Sequence, residues 1–122
     1  MLLFRCLLVA SFAVTLSTTA DAACIGFRRF NLTSEGPWTG YGTIEQGKTC
    51  SGSFTAGGTW IFKRLLLAQA PVRGKVRLQQ GGTYFYTAPT GYSGSDNFTL
   101  RVCGKEGAID GCANLINNMT VK

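Results

Sequence analysis

The side chains that could carry chemistry in this 122-residue chain are five cysteines, a short row of cations and a few carboxylates, while histidine is absent. Without histidine, a Ser-His-Asp triad, a Cys-His pair and a histidine-ligated zinc, copper or haem site are excluded. An enzyme would need carboxylates, lysine or a thiolate as its general base. The carboxylates Glu35, Glu45, Glu106 and Asp110 fall in predicted loops without a recognisable motif. We therefore expect a non-catalytic protein without a metal or cofactor.

Four cysteines lie beyond the N-terminal segment: Cys24, Cys50, Cys103 and Cys112. Their spacing contains no C-x-x-C pair, which argues against a zinc knuckle and against a redox motif. An even number of cysteines in a short exported domain is typical of disulfides, and four allow three connectivities. We favour Cys103–Cys112, which are close in sequence across a predicted hairpin loop, and Cys24–Cys50 by elimination.

Residues 1–22 are predicted to be a signal peptide. Arg5 provides a short positive region, and an apolar run follows from Cys6 to Leu16. Ala20-Asp21-Ala22 then supplies small residues at the two positions that a signal peptidase reads. The apolar run is too short for a membrane span, so no transmembrane segment is expected after cleavage.

Cleavage after Ala22 would leave one domain, residues 23–122, secreted or in the periplasm. Cys24 raises an alternative, in which this cysteine is acylated and the protein is a lipoprotein. Asp21 disfavours that alternative, because a lipobox has an apolar residue three positions before its cysteine.

Turn signals rich in glycine and proline recur every 8–12 residues, which is typical of an all-β sandwich or barrel. Between residues 72 and 78 apolar residues alternate with cations. Val76 and Leu78 are therefore expected to face a core, with the cations facing water. The chain then turns at Gly81-Gly82, where glycine tolerates the positive φ of a tight hairpin.

Further strands are predicted over 83–87, over a segment with Phe98, Leu100 and Val102 on one face, and over 111–121. Trp60–Gln69 is also predicted to be a strand, although its composition is compatible with two helical turns. Nearer the N-terminus, Ile25, Phe27 and Phe30 are expected to begin a strand, and residues 36–42 are expected to form a loop.

Three stretches between Ala70 and Val102 carry a family resemblance: APVRGKV at 70–76, GTYFYTAP at 82–89 and GYSGSDNFT at 91–99. They resemble the P-x-x-G-x-V, Y-x-Y-x-P and G-Y-x-G-x-D-x-F patterns of bacterial immunoglobulin-like/cadherin-like repeat domains. The resemblance implies a Greek-key immunoglobulin-like β-sandwich that acts as a structural, adhesive or binding module in the cell envelope or outside the cell. The chain departs from the family in having one copy and four cysteines in the domain. The motif residues are Gly74, Tyr86, Pro89, Tyr92, Gly94, Asp96 and Phe98.

These motif residues are expected to be architectural. Asp96 follows a glycine-rich turn and can accept backbone N–H bonds there, as in an Asx turn. Tyr86, Tyr92 and Phe98 are large enough to fill the space between two sheets, with the phenol tips at the rim. Calcium binding by Asp96 is the alternative, but the few carboxylates of the chain do not favour it.

A candidate binding surface is a row of three cations at every second position between residues 73 and 77. Arg101 is expected on a neighbouring outward face, and Lys63 and Arg64 are candidate further members. Such a surface concentrates positive potential and could hold an anionic glycan, lipopolysaccharide or nucleic acid, the last not being expected for an exported protein. The alternative is a solvated face or a charged strand edge that resists sheet-to-sheet pairing. The row consists of Arg73, Lys75 and Arg77.

Trp38 and Tyr41 lie in a glycine-rich stretch and form a second candidate, since exposed aromatic rings can stack on sugars; the alternative is that they are partly buried. The expected partners are thus an envelope protein, a glycan or an anionic polymer.

Overall fold

The structure is a computed structural model that describes residues 22–25, 31–32, 36–54 and 60–122. The described residues form eight β-strands and no helix, so none of them belongs to a helix long and apolar enough to cross a membrane. The strands are β1 (Ala22–Ala23), β2 (Trp38–Ile44), β3 (Thr49–Ser53), β4 (Trp60–Gln69), β5 (Lys75–Gln79), β6 (Thr83–Thr87), β7 (Gly94–Glu106) and β8 (Ile109–Val121). The predicted signal peptide lies outside the described residues, except that Ala22 is the first residue of β1.

Two four-stranded sheets make up the fold, with the strand orders β1-β3-β6-β5 and β2-β8-β7-β4. Their inner faces meet in one core, where the Tyr86 ring of β6 stacks on the Phe98 ring of β7 with centroids 5.2 Å apart. Tyr84 meets the same phenylalanine edge-on at 5.9 Å. The predicted all-β architecture of two layers is therefore confirmed.

The alternation of buried and exposed side chains explains why these segments form strands around the core. In β7, Phe98, Leu100 and Val102 are fully buried, whereas the intervening Thr99 and Arg101 lie on the outer face. The β5–β6 hairpin turns at Gly81 and Gly82, which have φ of 92° and 88°, as predicted for a tight turn. The predicted strand at Trp60–Gln69 is also confirmed, as β4.

The prediction of a loop over residues 36–42 is wrong from Trp38 onward. Residues 38–44 form β2, which pairs in parallel with β8 over seven positions, from Trp38↔Leu115 to Ile44↔Val121. Glycine is needed here for close packing rather than for a turn, because a Cβ on Gly42 would lie 2.5 Å from the Cys24 carbonyl oxygen.

Two of the predicted strands also begin at other residues than expected, or are not found among the described residues. Ile25 lies outside any strand, and Phe27 and Phe30 are not among the described residues. The alternation of residues 72–78 becomes a strand only from Lys75, because residues 72–74 bend. Val72 is consequently 88 % exposed and not on a core face.

The cysteines form two disulfides, Cys24–Cys50 and Cys103–Cys112, which are the pairs that the sequence favours. The first links the residue after β1 to β3. The second joins directly paired positions of the β7–β8 hairpin, whose Cα atoms are 4.1 Å apart. Cys103–Cys112 thus joins two hydrogen-bonded neighbours of the second sheet. Cys24–Cys50 joins the residue after β1 to β3, which is the neighbour of β1 in the first sheet.

Candidate functional site

The Asp96 carboxylate is the polar centre of the interior and is only 5 % exposed. Its Oδ2 accepts a 2.7 Å bond from the Tyr86 hydroxyl and a 2.8 Å bond from the Gly74 N–H. Its Oδ1 accepts longer bonds from the N–H groups of Arg73 and Asn97, at 3.3 and 3.2 Å. Four donors therefore compensate the burial of one charge.

The donors to Asp96 differ from those that the sequence predicts. Only the Asn97 N–H is local, and the donors from Arg73 and Gly74 belong to the loop before β5, more than twenty residues earlier in the chain. Asp96 thus fixes a remote loop instead of closing its own turn. All four hydrogen-bond contacts of Asp96 are with donors, whereas calcium takes several carboxylate and carbonyl oxygens. The described residues contain no group of three potential metal ligands.

Gly74 is required by the ring beside it. A Cβ at this position would lie 2.5 Å from Tyr86 Cε2 and 2.6 Å from the carbonyl oxygen of Thr87. The phenol of Tyr86 is buried beneath this loop, because its hydroxyl has to reach Asp96. The expectation that the Tyr86 tip lies at the rim is therefore wrong.

The remaining motif residues complete the same structural unit. The Tyr92 hydroxyl donates to the Ser95 carbonyl oxygen at 2.8 Å, and its ring lies against Gly94, which has a φ of 140°. The carbonyl oxygen of Pro89 accepts a bond from the Gly47 N–H at 3.3 Å. These contacts hold the turns next to the basic row in position.

The basic row, defined as Arg73, Lys75 and Arg77, lies along the edge of the first sheet. Lys75 and Arg77 are exposed on β5, the outermost strand, and Arg73 is exposed in the loop before it. The Arg77 guanidinium carbon is 4.3 Å from the centre of the Phe85 ring. That of Arg73 is 4.5 Å from the centre of the Tyr92 ring. Both distances are those of cation–π contacts, which orient each guanidinium.

The other predicted cations are not part of this row. Arg101 lies on the outer face of the second sheet, where its Nη1 donates to Asn114 Oδ1 at 3.0 Å. Lys63 and Arg64 are on β4 of that sheet, and Lys63 pairs with Asp110. The lysine lowers the pKa of the Asp110 carboxyl below its usual value. The expected extension of the row to these three cations is therefore wrong.

Trp38 and Tyr41 do not form a common stacking surface. They are three residues apart on β2, so their side chains project from opposite faces of the sheet. Trp38 packs against the core, and its buried Nε1 has no hydrogen-bond partner in the described part of the chain. Tyr41 is 78 % exposed on the outer face.

An open depression of about 280 Å³ lies beside the basic row. It is lined by Gly47, by residues 73–75 and by residues 87–90. Sequence reasoning singled out residues 73–75 and Pro89 of this lining, but it missed the other lining residues and the contact of Arg77 with Phe85. The Phe85 contact follows from the hairpin register, in which Arg77 pairs with Phe85, and it could be found by counting outward from the Gly81-Gly82 turn.

Of the described carboxylates considered for catalysis, Glu106 and Asp110 lie at the same end of the β7–β8 hairpin but on opposite faces of it, because Asp110 is paired with Lys105 in the strand register. Glu45 is exposed after β2, and Asp110 pairs with Lys63. Glu106 Oε2 accepts the Leu32 N–H at 3.1 Å, and Glu35 lies outside the described residues. The described members of this set therefore form no acid–base pair that matches a known arrangement.

A scan against protein-family models gave no match, and a search of curated proteins found no similar sequence. The fold and site accordingly define the class of protein: an all-β domain of two sheets with two disulfides and with a row of three cations along one sheet edge.

Proposed function

We propose that this chain is an exported, non-catalytic domain with a Greek-key immunoglobulin-like fold, which acts in the bacterial cell envelope or outside the cell as a structural, adhesive or binding module. The observation that carries the proposal is the strand order of its two sheets.

Immunoglobulin constant-type domains have strands A, B, E and D in one sheet and C, F and G in the other. Assigning A to β1 and B through G to β3 through β8 reproduces the first order as β1-β3-β6-β5 and the second as β4-β7-β8. β2 adds to the second sheet beside β8. The strand order therefore supports the family resemblance independently of the motifs, and the parallel pairing of β1 with β3 is a departure from the antiparallel sheets of that fold.

The contacts of the motif residues support an architectural use of the motif. Gly74, Tyr86 and Asp96 are joined by short hydrogen bonds or close packing, and Phe98 stacks on Tyr86. Side chains committed to the interior in this way are not available to a substrate. Surface residues are then left for binding, as expected of a module that acts by contact.

Export is supported by the cysteines. Disulfides persist in oxidising compartments such as the periplasm and the extracellular space, and are rare in the cytosol. Both disulfides lie within the domain proposed as the mature protein, residues 23–122.

The test is expression of the full chain in a Gram-negative host, followed by fractionation and mass spectrometry. We expect a mature protein that begins at Ala23, carries no free thiol and is found in the periplasm or medium. An uncleaved cytoplasmic protein with free thiols would contradict export, and acylated Cys24 would replace the soluble assignment with a lipoprotein. The immobilised mature protein should also retain a component of the envelope fraction saturably.

A further inference from the structure

We propose that the basic row is a binding site for a linear acidic polysaccharide, whose carboxylate or sulfate groups contact Arg73, Lys75 and Arg77 in succession. This inference names the ligand class of the binding module proposed above and rests on that proposal.

The first support is the linear arrangement of the charges. Lys75 and Arg77 occupy alternate positions of one strand, so their Cα atoms are about 6.8 Å apart on the same face. Arg73 continues the row at the loop end. β5 is the outermost strand of its sheet, so an extended chain can lie along the row without crossing another strand.

The second support is that the charges are available. None of the three side chains forms an ion pair with a described carboxylate. Asp96, close to Arg73 in space, is buried and accepts the backbone N–H of that residue rather than its guanidinium. The row therefore presents three cations that have no salt-bridge partner among the described residues, and such a row concentrates positive potential at the surface.

The third support is that both guanidinium groups are oriented before a ligand arrives. Arg77 lies over Phe85 at 4.3 Å and Arg73 lies over Tyr92 at 4.5 Å. The ring contacts use the flat face of each guanidinium and leave its N–H groups free at the edge. Those N–H groups form the planar donor set that pairs with carboxylate or sulfate oxygens.

The depression beside the row suits a sugar better than a simple ion. Its volume of about 280 Å³ exceeds what a simple ion needs, and residues 87–90 line it together with Arg73 and Lys75. Thr87 Oγ1 is hydrogen-bonded to Thr49 Oγ1 at 2.9 Å, which fixes one hydroxyl at this wall. A sugar ring can thus meet polar groups while its acidic substituent meets a cation.

The same geometry disfavours nucleic acid. Single-stranded nucleic acids bind largely through bases stacked on exposed aromatic rings. The ring faces of Phe85 and Tyr92 nearest the row are already covered by arginines. An acidic polysaccharide has no need of such stacking, and charge complementarity is sufficient.

The test measures binding of the processed, oxidised protein to immobilised heparin and to polygalacturonate, with neutral dextran and single-stranded DNA as comparison polymers. The variant replaces the whole row (Arg73→Gln, Lys75→Gln, Arg77→Gln). The matched control removes the same charge from the second sheet (Lys63→Gln, Arg64→Gln, Lys105→Gln). Thermal midpoints establish that each variant is folded.

We expect the row variant to bind the acidic polysaccharides at least about tenfold more weakly, with little change in the control variant. The wild-type affinity should fall with salt with a logarithmic slope of about −2 to −3, as for three charge contacts. Equal losses in both variants, equal retention on dextran, or tighter binding to the DNA would overturn the proposal. Absence of polysaccharide binding by a protein shown to be exported rejects this site alone, whereas failure of export rejects the proposed function.

Discussion

The hydroxyl of Tyr86 on β6 donates a 2.7 Å hydrogen bond to the carboxylate of Asp96 on β7, and this bond joins the two sheets through their interior. The same carboxylate holds the loop that begins the basic row, through the Gly74 N–H. The architecture of the core and the position of the candidate surface therefore depend on one buried charge.

Two tyrosines on the same face of β6 are expected to respond differently to loss of the hydroxyl. Tyr86→Phe removes a donor to a buried carboxylate and should lower the free energy of unfolding by about 1.5–3 kcal/mol. The hydroxyl of Tyr84 is buried without a partner among the described residues, so Tyr84→Phe should be neutral or stabilising by about 1 kcal/mol. Urea unfolding with intact disulfides measures both, and equal losses would contradict the difference in bonding.

Stability should decline in alkali. Burial raises the pKa of Tyr84 from 10.0 to about 12, and burial together with the bond to Asp96 raises the pKa of Tyr86 further. Because both pKa values are higher in the folded than in the unfolded protein, this contribution is fully present below pH 10 and is lost as the pH rises through about 12.

Urea midpoints measured from pH 8 to pH 12 test this expectation. The midpoint should be nearly constant at first and then fall steeply. Tyr84→Phe should make the fall less steep, since one of the two shifted groups is removed. A midpoint independent of pH over the whole range would show that these phenols ionise equally well in the folded protein.

Sequence reasoning succeeded where a local pattern determines the structure. The Gly81-Gly82 turn sets the register of the β5–β6 hairpin, and period-two alternation sets the inner face of β7. The Cys103–Cys112 pairing follows from the same hairpin logic, because these residues are directly opposed in the β7–β8 register.

Other features depend on contacts that are remote in sequence. β2 is a strand because it pairs with β8, and its glycines make it look like a loop in isolation. The alternation along β7 correctly predicts that Arg101 faces outward. The order of the strands decides which sheet it belongs to, and it places Arg101 on the second sheet, away from the basic row on the first. Two of the four donors to Asp96, the N–H groups of Arg73 and Gly74, come from a loop more than twenty residues earlier in the chain.

Gly74 should not tolerate a side chain. The Cβ of Gly74→Ala would clash with the Tyr86 ring at 2.5 Å, and such overpacking costs about 1–3 kcal/mol. Gly107→Asn is the control, because nothing lies within 4 Å of that Cβ and its φ of 62° falls in the left-handed region that asparagine adopts. Thermal and urea unfolding should show a clear loss only for Gly74→Ala, and a tolerated alanine there would mean that Tyr86 can move away from Asp96.

Removal of each disulfide should lower stability, but the two removals should affect amide protection in different parts of the domain. In the loop-entropy model, loops closed over sequence separations of 9 and 26 are worth about 2.7 and about 3.5 kcal/mol, so both double alanine variants should be less stable. Without Cys103–Cys112, β7 and β8 still pair over thirteen positions, so the register of the hairpin should persist.

Without Cys24–Cys50, the mature protein that begins at Ala23 keeps only the Ala23↔Ser51 pair between β1 and β3. Amide hydrogen exchange should therefore become fast in Cys24→Ala/Cys50→Ala at position 24, whose N–H donates to the Ser51 carbonyl oxygen, and along the β3 edge, while β7 and β8 stay protected. In Cys103→Ala/Cys112→Ala, protection should fall only modestly and in all strands together, because the loss is in global stability. Local loss of protection confined to the β7–β8 hairpin in that second variant would indicate that the disulfide, rather than strand pairing, maintains the hairpin.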